Sequence, residues 1–557
     1  MSYSIINSKY TYYFGVLIIF MIGAYLRFLA LDSATTYADD YVFRDLDRAF
    51  DLFTSKNIPL AGPEATSGSR LPGPFLYILY QIPLYTSSTF KSINIFTFLL
   101  NNLSVLILFY TQLKFYGKRA ALIALCLLSI HINMIESAAY AINPSFIFIF
   151  TVLFNYYLLS FHKKEKNGYF YISTAILLLG LQVHLSLVLL FIPLIYTGID
   201  HRKILNKFSV LYTILITILI YLPYIIYKIS FYEPPVFISG GVGLFEDFSL
   251  LKFLRGISGI EAFSRVWYLA PYNECLEAWN NFALTDVLSS VSFFWVFTSL
   301  ASSIYLIYIV RIKPDRNISF ILIPSLLIFI SFGLASPRHI PRYSYTLIIF
   351  NISLISFSLS HLFTKLSTKY YRFGLSFILV LFFLLQSIES FLVTTKMAEK
   401  RKSSLYGTIK NKSLFVSTIA TNLNLSYEDF INKVYFYSPT HSRGTVFYDD
   451  NRYRPVSHYF INEVLNKQQK NLNQKDTGFI IKNIQSDIKT CGRPLDWLNL
   501  TKDKDIKILN KKVINFNQLG FNEIFEVYEY EKLYDGDYYN NSKSPFIWTQ
   551  DTKELLS

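Results

Sequence analysis

Two adjacent carboxylates, Asp39 and Asp40, stand close behind the first apolar stretch and lead into Tyr41-Val42-Phe43-Arg44-Asp45-Leu46-Asp47-Arg48-Ala49-Phe50-Asp51-Leu52. Val42, Phe43, Leu46, Ala49, Phe50 and Phe53 recur at helical spacing, which predicts an amphipathic helix lying on a membrane surface. One reading makes the pair an N-cap and a first-turn acid, favourable at the positive end of that helix. It leaves unexplained why two carboxylates sit beside a surface that is usually anionic. The chemical reading is general-base work, since a carboxylate there can deprotonate or orient an acceptor hydroxyl.

Further candidates follow along the chain. The segment Pro59-Leu60-Ala61-Gly62-Pro63-Glu64-Ala65-Thr66-Ser67-Gly68-Ser69-Arg70-Leu71-Pro72-Gly73-Pro74 mixes rigid prolines with glycines that admit close backbone approach. It is either a structural turn or a cradle in which Thr66, Ser67, Ser69 and Arg70 donate to sugar hydroxyls or phosphate. Asn143-Pro144 opens an apolar stretch; the proline is an ordinary first-turn residue, and Asn143 beside it is a candidate substrate contact. Gln182 and His184 interrupt an apolar run, where polar groups are costly and face a cavity or the bundle interior. The plain alternative is a hydrogen bond to a neighbouring helix. Arg338, His339 and Arg342 crowd one short gap. They are either snorkelling arginines or, with Arg27, a phosphate or diphosphate pocket built on forked guanidinium donors.

The elements that must position these groups are apolar and long. Tyr12–Leu31, Ile93–Leu113, Ala120–Ile135, Phe146–Phe161, Phe208–Tyr227, Val291–Val310, Ile318–Leu334, Tyr343–Leu362 and Phe373–Ile388 each approach the roughly 20 residues that cross a bilayer. Tyr169–Gly198 is too long for one span and is broken at Gln182-Val183-His184, so it predicts two short helices meeting near one face. The gaps alternate in charge. Lys9, then Lys114, Lys118 and Arg119, then Lys163, Lys164 and Lys166, then Arg202, Lys203 and Lys207, then Arg311, Lys313 and Arg316, then Lys365, Lys369 and Arg372 fall on one side. The short gaps Tyr140–Asn143 and Gln182–His184 carry no Lys or Arg. The positive-inside rule then predicts about eleven spans with the N-terminus in the cytoplasm and the C-terminus outside. Pro74–Tyr85 is apolar but short and carries Pro83, so it is expected as a helix at the outer interface.

A chain that is 52% hydrophobic and 16% charged over 557 residues is too apolar for a soluble protein. The net charge of +14 does not indicate nucleic acid, because many of the basic residues in the apolar half lie in the loops that set orientation against anionic lipid. The first span is too long for a signal-peptide core and lacks a small-x-small cleavage site after Leu31. Three cysteines make no framework: Cys126 lies in a span, while Cys275 and Cys491 fall in regions expected outside. The expected organisation is a membrane domain over 1–395, with external loops at 32–92 and 230–288, and an external α/β domain over 396–557. Within the latter, Lys433-Val434-Tyr435-Phe436-Tyr437 and Ile524-Phe525-Glu526-Val527-Tyr528-Glu529-Tyr530 predict strands.

Taken in order, several motifs resemble the dolichyl-phosphate-mannose–protein mannosyltransferase family in its bacterial branch, related to aminoarabinose transferases. They are Arg27, Asp39-Asp40, Pro59-Leu60-x-Gly62-Pro63 with Thr66-Ser67-Gly68 and Gly73-Pro74-Phe75, Asn143-Pro144-Ser145, and Gln182-Val183-His184-x-Ser186. The resemblance implies a GT-C fold in the plasma (inner) membrane and transfer of a sugar from a polyprenyl-phosphate carrier to a protein, lipid or glycan acceptor outside. It also implies an essential acid in the first loop, which maps to Asp39. Asp40 stands where relatives carry the longer Glu, so which carboxylate acts is open, and Ile142 stands where many carry Trp. The implied mechanism is an inverting displacement with Asp39 as base and rim arginines stabilising the departing phosphate. No cofactor is required, and a divalent metal is left open. The alternatives are a lipid-linked glycan polymerase or ligase, and a transporter or flippase. The last predicts ionisable groups buried in several spans.

Overall fold

The computed structural model describes residues 8–32, 40–56, 59–63, 70–87, 89–138, 141–230, 285–335, 345–366, 369–403, 409–426, 429–430, 433–436, 477–485, 506–521 and 524–532. The chain divides into two compact units. One comprises Met1–Thr35, Ser55–Ala270 and Asn281–Glu399; the other comprises Thr36–Thr54, Pro271–Asn280 and Lys400–Ser557.

The first unit is helical. Its described helices are α1 (Ser8–Asp32), α3 (Phe75–Leu84), α4 (Phe90–Tyr116), α5 (Lys118–Ser129), α6 (Ile132–Ser137), α7 (Ile147–Lys164), α8 (Asn167–Leu181), α9 (Phe191–Asp200), α10 (Lys207–Ser230), α11 (Thr285–Ile312), α12 (Arg316–Ala335), α13 (Tyr345–Lys365) and α14 (Lys369–Ser403). Six of them, α1, α4, α7 with its preceding 3-10 turn, α10, α13 and α14, contain a segment long and apolar enough to cross a membrane. Among the described residues, the apolar segments of the other helices are shorter. α7 and α13 are the inner members, with 83% and 72% of their apolar segments buried, whereas the apolar segment of α10 is only 6% buried. Phe208, Leu211, Ile214 and Leu219 on α10 face outward, an arrangement that water would penalise and hydrocarbon does not.

Inside the unit, polar side chains tie helices together. Ser299 donates to Asn351 Oδ1 at 2.7 Å between α11 and α13, and Ser356 donates to Gln112 Oε1 at 3.4 Å between α13 and α4. The third apolar stretch is not one helix. α5 stops at Ser129 and the chain turns at Ile130 into α6. The reason is polar: Ser129, His131, Asn133, Glu136 and Ser137 are all buried, and a straight helix would turn His131 away from the other four, so that one face could not bury them all. The expected break at Gln182–His184 is present between α8 and a 3-10 turn, Leu185–Leu190.

Contacts within this unit gather the basic loops at one end. Tyr12 donates to the Lys118 carbonyl (3.0 Å), Lys163 bonds Asn317, and Arg316 Nε bonds Asp200 Oδ2 (2.9 Å). The loops poor in charge meet at the other end, described below.

The second unit holds α2 (Asp40–Ser55), α15 (Ile409–Leu423) and a sheet of β1 (Val434–Phe436), β2 (Thr477–Gln485), β3 (Ile506–Asn515) and β4 (Ile524–Lys532). α2 is the expected amphipathic helix, with Leu46, Ala49 and Leu52 buried at three-residue spacing. The sheet order is β1-β2-β4-β3, with β1 and β2 parallel and the other pairs antiparallel. Phe415, Val416 and Ile419 of α15 bury against Val434, Ile481, Ile514, Phe525 and Val527, one face of every strand. Strands β1 and β4 fall where alternation predicts them, and β2 and β3 add to these.

Candidate active site

The Pro/Gly-rich first loop is closed at its neck by backbone bonds. Gly62 N–H donates to Leu71 O at 3.0 Å and Leu71 N–H donates to Pro63 O at 2.8 Å. The chain then passes Gly73 into α3. Gly73 has φ +132°, and a Cβ there would lie 2.3 Å from Gln182 Oε1. Only glycine meets both conditions.

Gln182 is the centre of this junction. Its Oε1 accepts from Phe75 N–H at 3.2 Å, and its Nε2 donates to Ile220 O at 3.0 Å. One side chain at the end of α8 thus joins the first loop to α10. Tyr224, farther along α10, donates to the Arg70 carbonyl at 3.5 Å, and the Arg70 guanidinium lies over the Tyr227 ring at 5.4 Å. His184 caps the 3-10 turn: its Nδ1 accepts from Ser186 N–H at 3.2 Å and lies 2.8 Å from Ser186 Oγ.

Asn143 opens the 3-10 turn Asn143–Phe146 and is half-buried. The same end is fixed by Tyr80, which donates to Ala141 O at 2.5 Å and sets its ring edge-on to Phe146 at 5.6 Å. Asn101 on α4 donates to Ser145 O at 3.3 Å and accepts from Ser137 Oγ at 3.0 Å. Three motifs distant in sequence, Gly73-Pro74-Phe75, Asn143-Pro144-Ser145 and Gln182-Val183-His184, therefore lie at one end of one helix bundle.

The predicted site residues fall into three groups. Arg70, Asn143, Gln182 and His184 are brought to this end. Both ends of the Gln182 amide are spent on backbone groups, which makes it a brace. Arg27 is fully buried, where a rim position was expected: its Nε donates to Asn102 Oδ1 at 3.1 Å and its Nη1 to Ser129 O at 3.2 Å, between α1, α4 and α5. Asp40 opens α2, while Asp39, Thr66, Ser67, Arg338, His339 and Arg342 lie outside the described residues, as do Cys275 and Cys491.

Residue-by-residue reading missed a second polar group beside Arg27. Trp295 Nε1 donates to Gln386 Oε1 (3.2 Å), Gln386 Nε2 to Glu389 Oε2 (3.1 Å), and Ser390 Oγ to Ile130 O (3.0 Å), while the His131 ring lies 5.3 Å from Trp295. Glu136 and Glu389 are both buried. The signal was present as polar residues within the apolar stretch Ala120–Ile135 and just beyond it.

This architecture is that of the GT-C class of membrane glycosyltransferases. Along nearly its whole length the chain is similar to ArnT from Cupriavidus metallidurans. The likeness to the crystal structure of ArnT bound to undecaprenyl phosphate has a TM-score of 0.55 at 10% identity, covering 92% of this chain and 97% of that one. The apo structure of the same protein gives a TM-score of 0.54 at 10% identity with the same coverage. Residues 74–227 match the family described as dolichyl-phosphate-mannose-protein mannosyltransferase. No functionally curated protein matches the sequence. The structural likeness shows the fold; with the family match it supports a membrane glycosyltransferase of the GT-C type acting on a lipid-linked sugar.

Proposed function

We propose that this protein transfers a sugar from a polyprenyl-phosphate carrier to an acceptor on the external side of the plasma membrane by an inverting displacement. The acceptor nucleophile attacks the anomeric carbon, Asp39 takes its proton, and the bond from that carbon to the carrier phosphate oxygen breaks. The phosphate leaves with its electron pair, held by Arg338 and Arg342. Asp40 supports or replaces Asp39. Thr66, Ser67, Arg70 and Asn143 contact sugar or phosphate, while Gln182 and His184 hold the first loop and the turn after α8 in place.

The observation that carries this reading is the meeting of three motifs. They belong to the resemblance first read in the sequence, and Gln182 and Phe75 join two of them directly at 3.2 Å. The family match over residues 74–227 covers all three but for Gly73, and the similar ArnT structure holds undecaprenyl phosphate.

The test is release of polyprenyl phosphate from a polyprenyl-phosphate sugar by the purified protein with an acceptor present. Asp39→Asn is expected to reduce release by about 10²–10⁴-fold, the range for loss of a general base, with insertion and folding retained. Activity retained in Asp39→Asn and lost in Asp40→Asn moves the base to Asp40. Two active variants overturn the mechanism, and failure of the wild type to release any carrier overturns the function.

A further inference from the structure

At the basic end of the helices, away from Gln182, three side chains that sugar transfer does not use converge. His162, in the last turn of α7, has Nδ1 3.1 Å from His201 Nε2 and 3.8 Å from Asp200 Oδ2; the latter two atoms are 3.5 Å apart. A point equidistant from all three lies about 2.0 Å from each, the bond length that zinc makes to imidazole nitrogen and carboxylate oxygen. The donor types agree as well, since two imidazoles and one carboxylate suit borderline-soft divalent ions.

The surroundings hold the two rings in place. His162 and His201 are buried, Phe320 stacks on His162 with centroids 3.9 Å apart, and Phe161 lies 4.9 Å from His201. The other nitrogen of His201, Nδ1, is 3.7 Å from Glu165 Oε1. Glu165 reaches this position from a left-handed backbone conformation, φ +55°, at the C-cap of α7. A carboxylate behind the ring is the usual outer support of a metal-bound histidine.

Arg316, which opens α12, shares the acidic groups. Its Nε donates to Asp200 Oδ2 at 2.9 Å, its Nη1 is 3.5 Å from Glu165 Oε1, and its Nη2 is 3.1 Å from both ring nitrogens of His201. Its side chain is 48% exposed and can withdraw toward water, which the buried imidazoles cannot. The guanidinium meets the two carboxylates and the His201 ring but bonds neither nitrogen of His162. A metal ion takes Asp200 Oδ2 and both facing nitrogen lone pairs.

We propose that His162 Nδ1, His201 Nε2 and Asp200 Oδ2 bind one divalent transition-metal ion of the zinc class, clasping the end of α7 to the end of α9. The test uses the full-length protein in lipid nanodiscs, stripped with chelator and dialysed against Zn²⁺. One zinc per chain is expected, with loss of binding in His162→Gln and in His201→Gln and about 10–100-fold weaker binding in Glu165→Gln. Arg316→Gln is expected to bind zinc more tightly. Because the histidine variants can fail by misfolding, X-ray absorption on the zinc-loaded wild type provides a second measurement. Two imidazole nitrogens in the shell are expected; a shell without them overturns the site. So does the absence of zinc from the wild type, or stoichiometric zinc retained in both histidine variants.

Discussion

At the scale of single residues, the positions that break their local pattern carried the information. Gln182 and His184 are polar in an apolar run; Gln182 joins the first loop to α10, and His184 caps the turn after α8. Arg27 obeyed the same logic but not the same location. Its burial against Asn102 and Ser129 depends on a partner 75 residues away and another 102 residues away, which no local pattern reports. The cluster of His162, Asp200 and His201 was hidden likewise, because its histidines belong to two helix ends that look like ordinary basic loops. The proposed phosphate pocket yields a prediction at this scale. Arg342→Ala should remove a charge-assisted contact worth about 2–4 kcal/mol in carrier binding or leaving-group stabilisation. Arg342→Lys should recover only part, since lysine keeps the charge and loses the fork. Carrier release measured at subsaturating donor decides the matter: wild-type rates in Arg342→Ala remove the residue from the pocket.

At the scale of elements, helices were legible wherever one physical requirement dominated. A hydrocarbon solvent demands long apolar runs, and α1, α4, α7, α10 and α13 fall where those runs stand. α5 and α6 divide one apolar stretch because Ser129, His131 and Glu136 must be buried, a requirement that apolar content alone does not register. In the sheet of the second unit, β4 alternates plainly, with Phe525 and Val527 buried. β3, reading Ile-Lys-Ile-Leu-Asn-Lys-Lys-Val-Ile-Asn, carries a bulge between Ile508 and Asn510 that breaks the period of two. The loop-to-helix junction at Gly73 is testable as an element. Gly73→Ala forces a β-carbon into a left-handed position, costing about 1–3 kcal/mol in strain alone, and presses it on the Gln182 amide. A lower thermal midpoint in detergent is expected, partly restored by adding Gln182→Ala, because the two sites are coupled by contact. If the single variant melts as the wild type does, the close approach at this junction is not made.

At the scale of the whole molecule, the alternation of charge between loops is the organising feature, and the helix contacts agree with it. Tyr12 with Lys118, Lys163 with Asn317, and Asp200 with Arg316 join loops that the charge pattern assigns to one side. Which side is the cytoplasm is a matter for labelling. In a background with Cys126, Cys275 and Cys491 replaced, Ser442→Cys should react with an impermeant thiol reagent added to intact cells. Lys164→Cys should react only after permeabilisation. The reverse pattern would invert the orientation and with it the proposed external site.

The short α5 has a consequence for how the protein is made. Twelve helical residues rise only about 18 Å, well short of the roughly 30 Å of hydrocarbon, and the polar turn after them adds an unfavourable term for entry into lipid. Emerging alone from the ribosome, this segment is a poor insertion signal. It is joined to the much longer α4 by the single residue Gly117. α5 therefore enters lipid most favourably together with α4, as a hairpin whose second arm stays incompletely housed until α1 and α14 close around Ser129 and Ile130. Early truncations ending within α6 would accordingly be targets of membrane quality control, although every residue of the hairpin is present.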